Sequence, residues 1–180
     1  MKRPKSQFAE VGQASARRND RPTATQPGGA FNGGMTASPR LTLNDGRSIP
    51  QLGLGVYKVP DAMAADTVQV ALETGYRHVD TADLYENEVG VGQGIARSSL
   101  AREEIFVTTK VWNDQHGYDD TLRAFDDSLD KLALDYVELY LIHWFEPRQD
   151  RCIDTYHARE AARRRTGSLD RSVEFPHPPP

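Results

Sequence analysis

Asp80, Lys110 and His143 each close a predicted strand, and Tyr85 follows Asp80 by five residues within one loop. In parallel α/β folds the carboxyl ends of the strands converge and the loops beyond them are free to vary, so chemistry is built at that edge. Each residue also has a plain structural role. Asp80 could cap a turn, Lys110 could reach for solvent, Tyr85 could open a helix, and His143 taken alone reads better as a hydrogen-bonded core histidine. The coincidence outweighs these, because three successive predicted strands end in an ionisable group. Together the four types make chemical sense. A free phenol titrates near ~10 and is a poor proton donor at neutral pH. A nearby ammonium favours the phenolate and lowers that value. A carboxylate keeps such a lysine charged and oriented, and a histidine can donate to an oxygen on which charge develops. The set suits protonation of a carbonyl oxygen during reduction. None of the four supplies electrons, so a hydride-carrying cofactor is implied.

Those positions need a repeating scaffold. Residues 41–43, a turn at Asn44-Asp45-Gly46 and residues 47–50 spell a short hairpin. Residues 52–57 read as a buried strand running into a loop. Asp61 is then a candidate N-cap, with Ala64, Val68, Ala71 and Leu72 at helical spacing and Gly75 at the C-cap. Strands are expected over 76–80, 105–110 and 136–143, with a helix over 87–97 between the first two. Leu122, Phe125, Leu129 and Leu132 mark the clearest amphipathic helix, capped by Asp119 or Asp120. A fourth helix is expected within 154–165. A hairpin followed by four strand–helix units implies a parallel sheet with right-handed crossovers. Gly90-Val91-Gly92-Gln93-Gly94 imitates a dinucleotide fingerprint, but Ile95 stands where the last glycine is needed, and the run lies inside a helix. We assign these glycines to close packing.

Composition excludes several classes. The 180 residues carry 22 Lys plus Arg and 26 Asp plus Glu, net −4, a poor match to nucleic acid. The single cysteine, Cys152, excludes a disulfide framework and a cysteine-rich zinc module and suits a reducing, cytoplasmic setting. No metal site is expected. Apolar runs are far shorter than the ~20 residues a membrane span needs, and the basic start is followed by no apolar stretch of a secretory signal. Residues 1–38 carry net +4, which leaves −8 for the rest. Poor in large apolar residues, they are expected to form a disordered basic tail.

The quoted motifs also resemble a known family, the aldo-keto reductases. Gly75-Tyr76-Arg77-His78-Val79-Asp80-Thr81-Ala82, followed by Glu88 and Val91-Gly92, is similar to that family's first signature. Residues 107–112 (Val-Thr-Thr-Lys-Val-Trp) and 129–144 resemble its third-strand motif and fourth-strand region, and 41–57 its opening hairpin and first strand. The resemblance covers roughly residues 40–157. It implies a partial (β/α)8 barrel and an NADPH-dependent reduction of aldehydes or ketones. The flavour is closest to small bacterial reductases of sugar-derived diketones and simple aldehydes. By it, Tyr85 is the general acid and Lys110 lowers its pKa. Asp80 pairs with the lysine, and His143 orients the carbonyl. Trp112 lines the substrate pocket, and Val56, Tyr57 and Asp80 lie near the nicotinamide.

Beyond His157 the pattern decays into Arg163-Arg164-Arg165 and a proline-rich end. Residues 39–158 are therefore read as the N-terminal half of the barrel, and 159–180 as an unpatterned, disordered tail. The (β/α)8 fold needs ~250 residues, so the expectation is a truncated member whose cofactor phosphate and adenine sites lie outside it. Its exposed edges invite self-association. The competing readings are a non-catalytic half-barrel interaction protein and an inert fragment.

Overall fold

The computed structural model describes residues 38–43, 46–146 and 150–165, the side chains of 163–165 excepted. The expected tail over 1–38, save Ser38, lies outside the described residues, as do Asn44, Asp45 and 166–180. Strand β1 (Arg40–Thr42) pairs antiparallel with β2 (Ser48–Pro50), and Gly46, at φ 85°, takes a turn position that suits glycine. The other four strands are β3 (Leu54–Gly55), β4 (His78–Asp80), β5 (Phe106–Val111) and β6 (Leu139–Ile142). They form one parallel sheet in the order β3-β4-β5-β6. Between and after them run α1 (Asp61–Glu73), α2 (Glu88–Arg97), α3 (Tyr118–Leu132) and α4 (Cys152–Arg165).

The core lies between the sheet and these helices. Val68 and Leu72 of α1, Val91 and Ile95 of α2, Leu122, Phe125 and Leu132 of α3 and Ala158 and Ala162 of α4 pack with Val79, Val107 and Tyr140 of the strands. Burying a large apolar side chain of this kind contributes about 1.5–3 kcal/mol. Strand side chains alternate between faces. Val79, Val107, Thr109 and Tyr140 therefore face the helices. Asp80, Thr108, Lys110, Leu141 and His143 share the opposite face.

Local chemistry departs from expectation at three points. Asp61 is the first residue of α1 rather than its cap, and its carboxylate accepts the Gly90 N–H of α2 at 2.7 Å. Neither Asp119 nor Asp120 caps α3; both sit in its first turn, and Gly117, at φ 118°, precedes it. Asp120 instead pairs with Arg123 and, at 3.2 Å, with Arg151. Helix α4 also runs past the boundary expected at 158, to Arg165, with Arg159 and Ala162 buried. Gly75 does end α1. At φ 106° it lets the Tyr76 N–H reach the Ala71 carbonyl at 3.0 Å and its own N–H reach that of Leu72 at 3.2 Å.

The glycine run of α2 is a packing surface. A Cβ at Gly90 would lie 2.8 Å from the Ala64 Cβ, and one at Gly94 2.6 Å from the Ala65 carbonyl oxygen. At Gly92 it would lie 2.6 Å from the Leu132 carbonyl carbon.

Candidate active site

At the carboxyl edge of the sheet, Lys110 reaches from β5 to β4. Its Nζ donates to Asp80 Oδ1 at 2.5 Å and to the Thr81 carbonyl at 2.7 Å. The lysine side chain is 12% exposed and that of Asp80 35%, so the pair is sheltered on one side and open on the other. Between β4 and α2 the chain makes a single 3-10 turn, Asp83–Tyr85, which presents Tyr85 over the ion pair. The ammonium lies 5.1 Å from the centroid of the Tyr85 ring, against its face.

The remaining residues close in around that ring. Tyr57 packs against it with centroids 5.1 Å apart, and His143 meets it edge-on at 5.5 Å. Trp112 contacts His143 from the other side at 5.3 Å, and Trp144 contacts Trp112 at 6.1 Å. The His143 N–H of the main chain continues the β5–β6 ladder to Val111 O at 3.1 Å, which fixes the ring's approach. Its Nδ1 is buried with no hydrogen-bond partner among the described residues.

Burial first, and the Lys110 charge second, hold His143 below the ordinary histidine range, so it is a neutral hydrogen-bond donor near pH 7. Tyr85 moves against expectation. Burial first, then Asp80 and Tyr57, raise its pKa above the ordinary value. The ammonium is held by Asp80 and the Thr81 carbonyl and meets the ring face, and the net direction for the phenol is upward. The phenol is thereby kept protonated, the form an acid needs.

Of the residues expected near a nicotinamide, only part offers surface. Tyr57 is 61% exposed beside Tyr85. Val56 is fully buried in the core and its carbonyl is taken by Asn87 Nδ2 at 2.9 Å, so its side chain is a core contact rather than a ligand contact. Asp80 has its Oδ1 on Lys110.

Sequence reasoning missed what holds the Tyr85 turn. Asn87, fully buried, donates to the Val56 and Val59 carbonyls at 2.9 Å each and accepts from Thr81 Oγ1 at 2.9 Å. Between Tyr85 and Asn87, Glu86 adopts a left-handed backbone at φ 56°, a conformation that costs a non-glycine residue about 1–3 kcal/mol. An asparagine heading a helix looks like an ordinary cap, so nothing in its spacing flagged it.

A parallel sheet of strand–helix units with a Tyr-Lys-Asp-His cluster at its carboxyl edge fits the class of βα-barrel architectures, whose polar residues gather at that edge. A model of the Aldo/keto reductase family matches residues 51–166, and the chain belongs to that family. It is 53% identical over 121 residues to an aldo-keto reductase of Mycolicibacterium smegmatis, covering 67% of this chain and 44% of that one. It is 51% identical over 121 residues to the glyoxal reductase of Bacillus subtilis, covering 67% and 43%. A crystal structure of an aldo/keto reductase from Brucella melitensis superposes with a TM-score of 0.70 at 48% identity, over 77% of this chain and 51% of that one. A Bombyx mori aldo-keto reductase crystallised with NADP matches with a TM-score of 0.65 at 38% identity, over 76% and 49%. The fold is thus part of a (β/α)8 barrel, and the chain spans about half the length of the relatives it matches.

Proposed function

We propose that this chain carries the catalytic edge of an NADPH-dependent reductase of small aldehydes and ketones. The observation that supports it is the convergence of Tyr85, the Asp80–Lys110 pair and His143 on one sheet edge, with an exposed aromatic, Tyr57, alongside. The His143 ring edge-on to the phenol and the open side of Asp80 fit a carbonyl and a nicotinamide end. A bound reduced nicotinamide would supply the hydride to the carbonyl carbon. The chain's own residues do the rest. Neutral His143 donates a hydrogen bond to the carbonyl oxygen and orients it between Tyr85 and Trp112. As charge grows on that oxygen, the Tyr85 Oη–H gives it the proton, and an alcohol results. Lys110, held by Asp80, steadies the phenolate left behind. Trp112 and Trp144 wall the carbonyl side.

The Bacillus subtilis relative is named a glyoxal reductase and a Yersinia pestis relative a methylglyoxal reductase, which favours small dicarbonyls as substrates. No helix among the described residues is long and apolar enough to cross a membrane, and we place the protein in the cytoplasm. Among the described residues, strands β3 and β6 are the sheet edges, and Trp144 and Phe145 beyond β6 are 64% and 74% exposed. Self-association through those edges is part of the proposal.

The test is NADPH oxidation by the purified chain with methylglyoxal, beside Tyr85→Phe. The variant keeps the ring and loses the proton, so turnover should fall by about 100-fold or more. Equal turnover in both would sink the assignment of Tyr85. A soluble, monodisperse chain with no turnover would favour a non-catalytic half-barrel.

A further inference from the structure

Outside the reaction edge lies a second polar cluster, on the helix side of the sheet. Asp83 opens the turn that ends in Tyr85, and its side chain is 4% exposed. Lys131, in the last turn of α3, donates to Asp83 Oδ1 at 2.7 Å and stands 3.7 Å from Glu88 Oε2. Glu88, 1% exposed in its side chain, opens α2 and accepts from Thr109 Oγ1 of β5 at 2.6 Å. The sequence makes this approach possible. Glu88 and Gly92 are four apart and share a helix face. The missing side chain at Gly92 lets the end of α3, at Leu132, come against α2.

We propose that Lys131 is a positioning residue for Tyr85, acting through Asp83 and Glu88. The turn between those two acids is short and contains the left-handed Glu86. Such a backbone persists only where the surroundings over-determine it. Asn87 fixes the turn from the sheet side, and Lys131 fixes it from the helix side by drawing Asp83 and Glu88 toward one ammonium. Lys131 touches neither ring nor reacting atoms. Its work is to keep the phenol registered over Lys110 and His143.

The catalytic half of this inference rests on Tyr85 being the proton donor; the conformational half does not. The experiment therefore has two readouts on the full chain, in Lys131→Met, Lys131→Arg and Asp83→Asn. The first is amide hydrogen exchange at Tyr85 and Glu86, whose N–H groups bond the Ala82 and Asp83 carbonyls at 2.9 and 3.1 Å. Lys131→Met should speed exchange there at least ~10-fold while the β5 amide of Phe106 is unchanged, and Lys131→Arg should restore most of the protection. Asp83→Asn removes the charge from the same contact at its other end, leaving a neutral acceptor, and should reproduce the effect in part, which covers the case of a methionine variant that fails to fold. The second readout is methylglyoxal reduction. A misplaced donor should lower kcat by about 10- to 100-fold with KM little changed.

Unchanged exchange at Tyr85 and Glu86 in Lys131→Met and Asp83→Asn would overturn the proposal. So would a uniform speeding of all amides, which is the signature of plain destabilisation. If the wild-type chain reduces nothing, the reductase reading fails alone, and the exchange pattern still decides whether Lys131 holds the turn.

Discussion

Gly92→Ala tests whether α2 and α3 touch as closely as the structure has them. In an exposed helix the change would stabilise by about 1 kcal/mol, because alanine loses less backbone entropy than glycine. Here the new Cβ would lie 2.6 Å from the Leu132 carbonyl carbon and 2.9 Å from its Cα. Both are main-chain atoms, so no flexible side chain can swing aside, and the helices must separate. Overpacking of this kind costs about 1–3 kcal/mol, and main-chain contact argues for the upper end. The net is a destabilisation of about 2 kcal/mol. With a urea slope near ~2 kcal/mol/M, the midpoint should fall by about 1 M at constant slope. Gly55→Ala is the matched control, since a Cβ there meets nothing within 4 Å. It should leave the midpoint within ~0.5 M, with any change stabilising. A Gly92→Ala midpoint equal to or above wild type would refute the packing argument. So would a wild-type chain that unfolds without a cooperative transition, the mark of an inert fragment.

Arg102→Met should destabilise by about 2–3 kcal/mol in urea, because Arg102 meets both carboxylate oxygens of Glu138 at 3.0 Å and leaves that half-buried acid uncompensated when removed; an unchanged midpoint would contradict it. His116, fully buried with both ring nitrogens unpartnered among the described residues, has its pKa lowered first by burial. The unfolded chain therefore binds its proton first, so this contribution is intact above ~6.5 and is lost as pH falls below it. The drop in Tm between pH 7.5 and pH 5.5, both about a unit from that value, should shrink in His116→Leu, and an equal drop would count against it. Because Tyr85 is raised above its ordinary value, the proton donor is lost only as pH climbs past about 10. The kcat/KM profile for carbonyl reduction should show no alkaline limb below that, and a limb centred between about 7 and 9 would mean the phenol is activated instead.

Periodicity made the scaffold legible. Alternation and apolar spacing located all four helices and the parallel strands, because burial on one face imposes those patterns locally. The candidate site was legible as a cluster for a related reason: each of its residues has an ordinary structural use, but three ionisable strand ends rarely coincide. What stayed hidden depends on contacts across many residues. Asp61 looked like a cap but serves Gly90, 29 positions on. Lys131 and Asp83, 48 apart, were a solvated helix lysine and a loop acid until α3 was seen against the turn. Lys110 does lie beside Tyr85, but the net direction of its pKa was not legible, because burial, Asp80 and Tyr57, which raise it, act through contacts that spacing does not show.

Strand β5 ties the two clusters together. Lys110 faces the reaction edge and binds the Thr81 carbonyl, at the start of the Tyr85 loop. Thr109, its neighbour, faces the helices and binds Glu88, at the end of that loop. Alternation along one strand thus anchors both ends of the segment that carries the phenol, one on each side of the sheet. Lys110 and Tyr85 are referenced to the same few backbone atoms, and His143 is referenced to them through Val111 on the same strand. The relative placement of all four candidate side chains is therefore fixed within β4, β5, β6 and the helices that cover them. Strands beyond these four are not needed to assemble the acid. Turnover, which also needs the proposed cofactor and substrate to be seated, and loop order are therefore separable measurements in this chain.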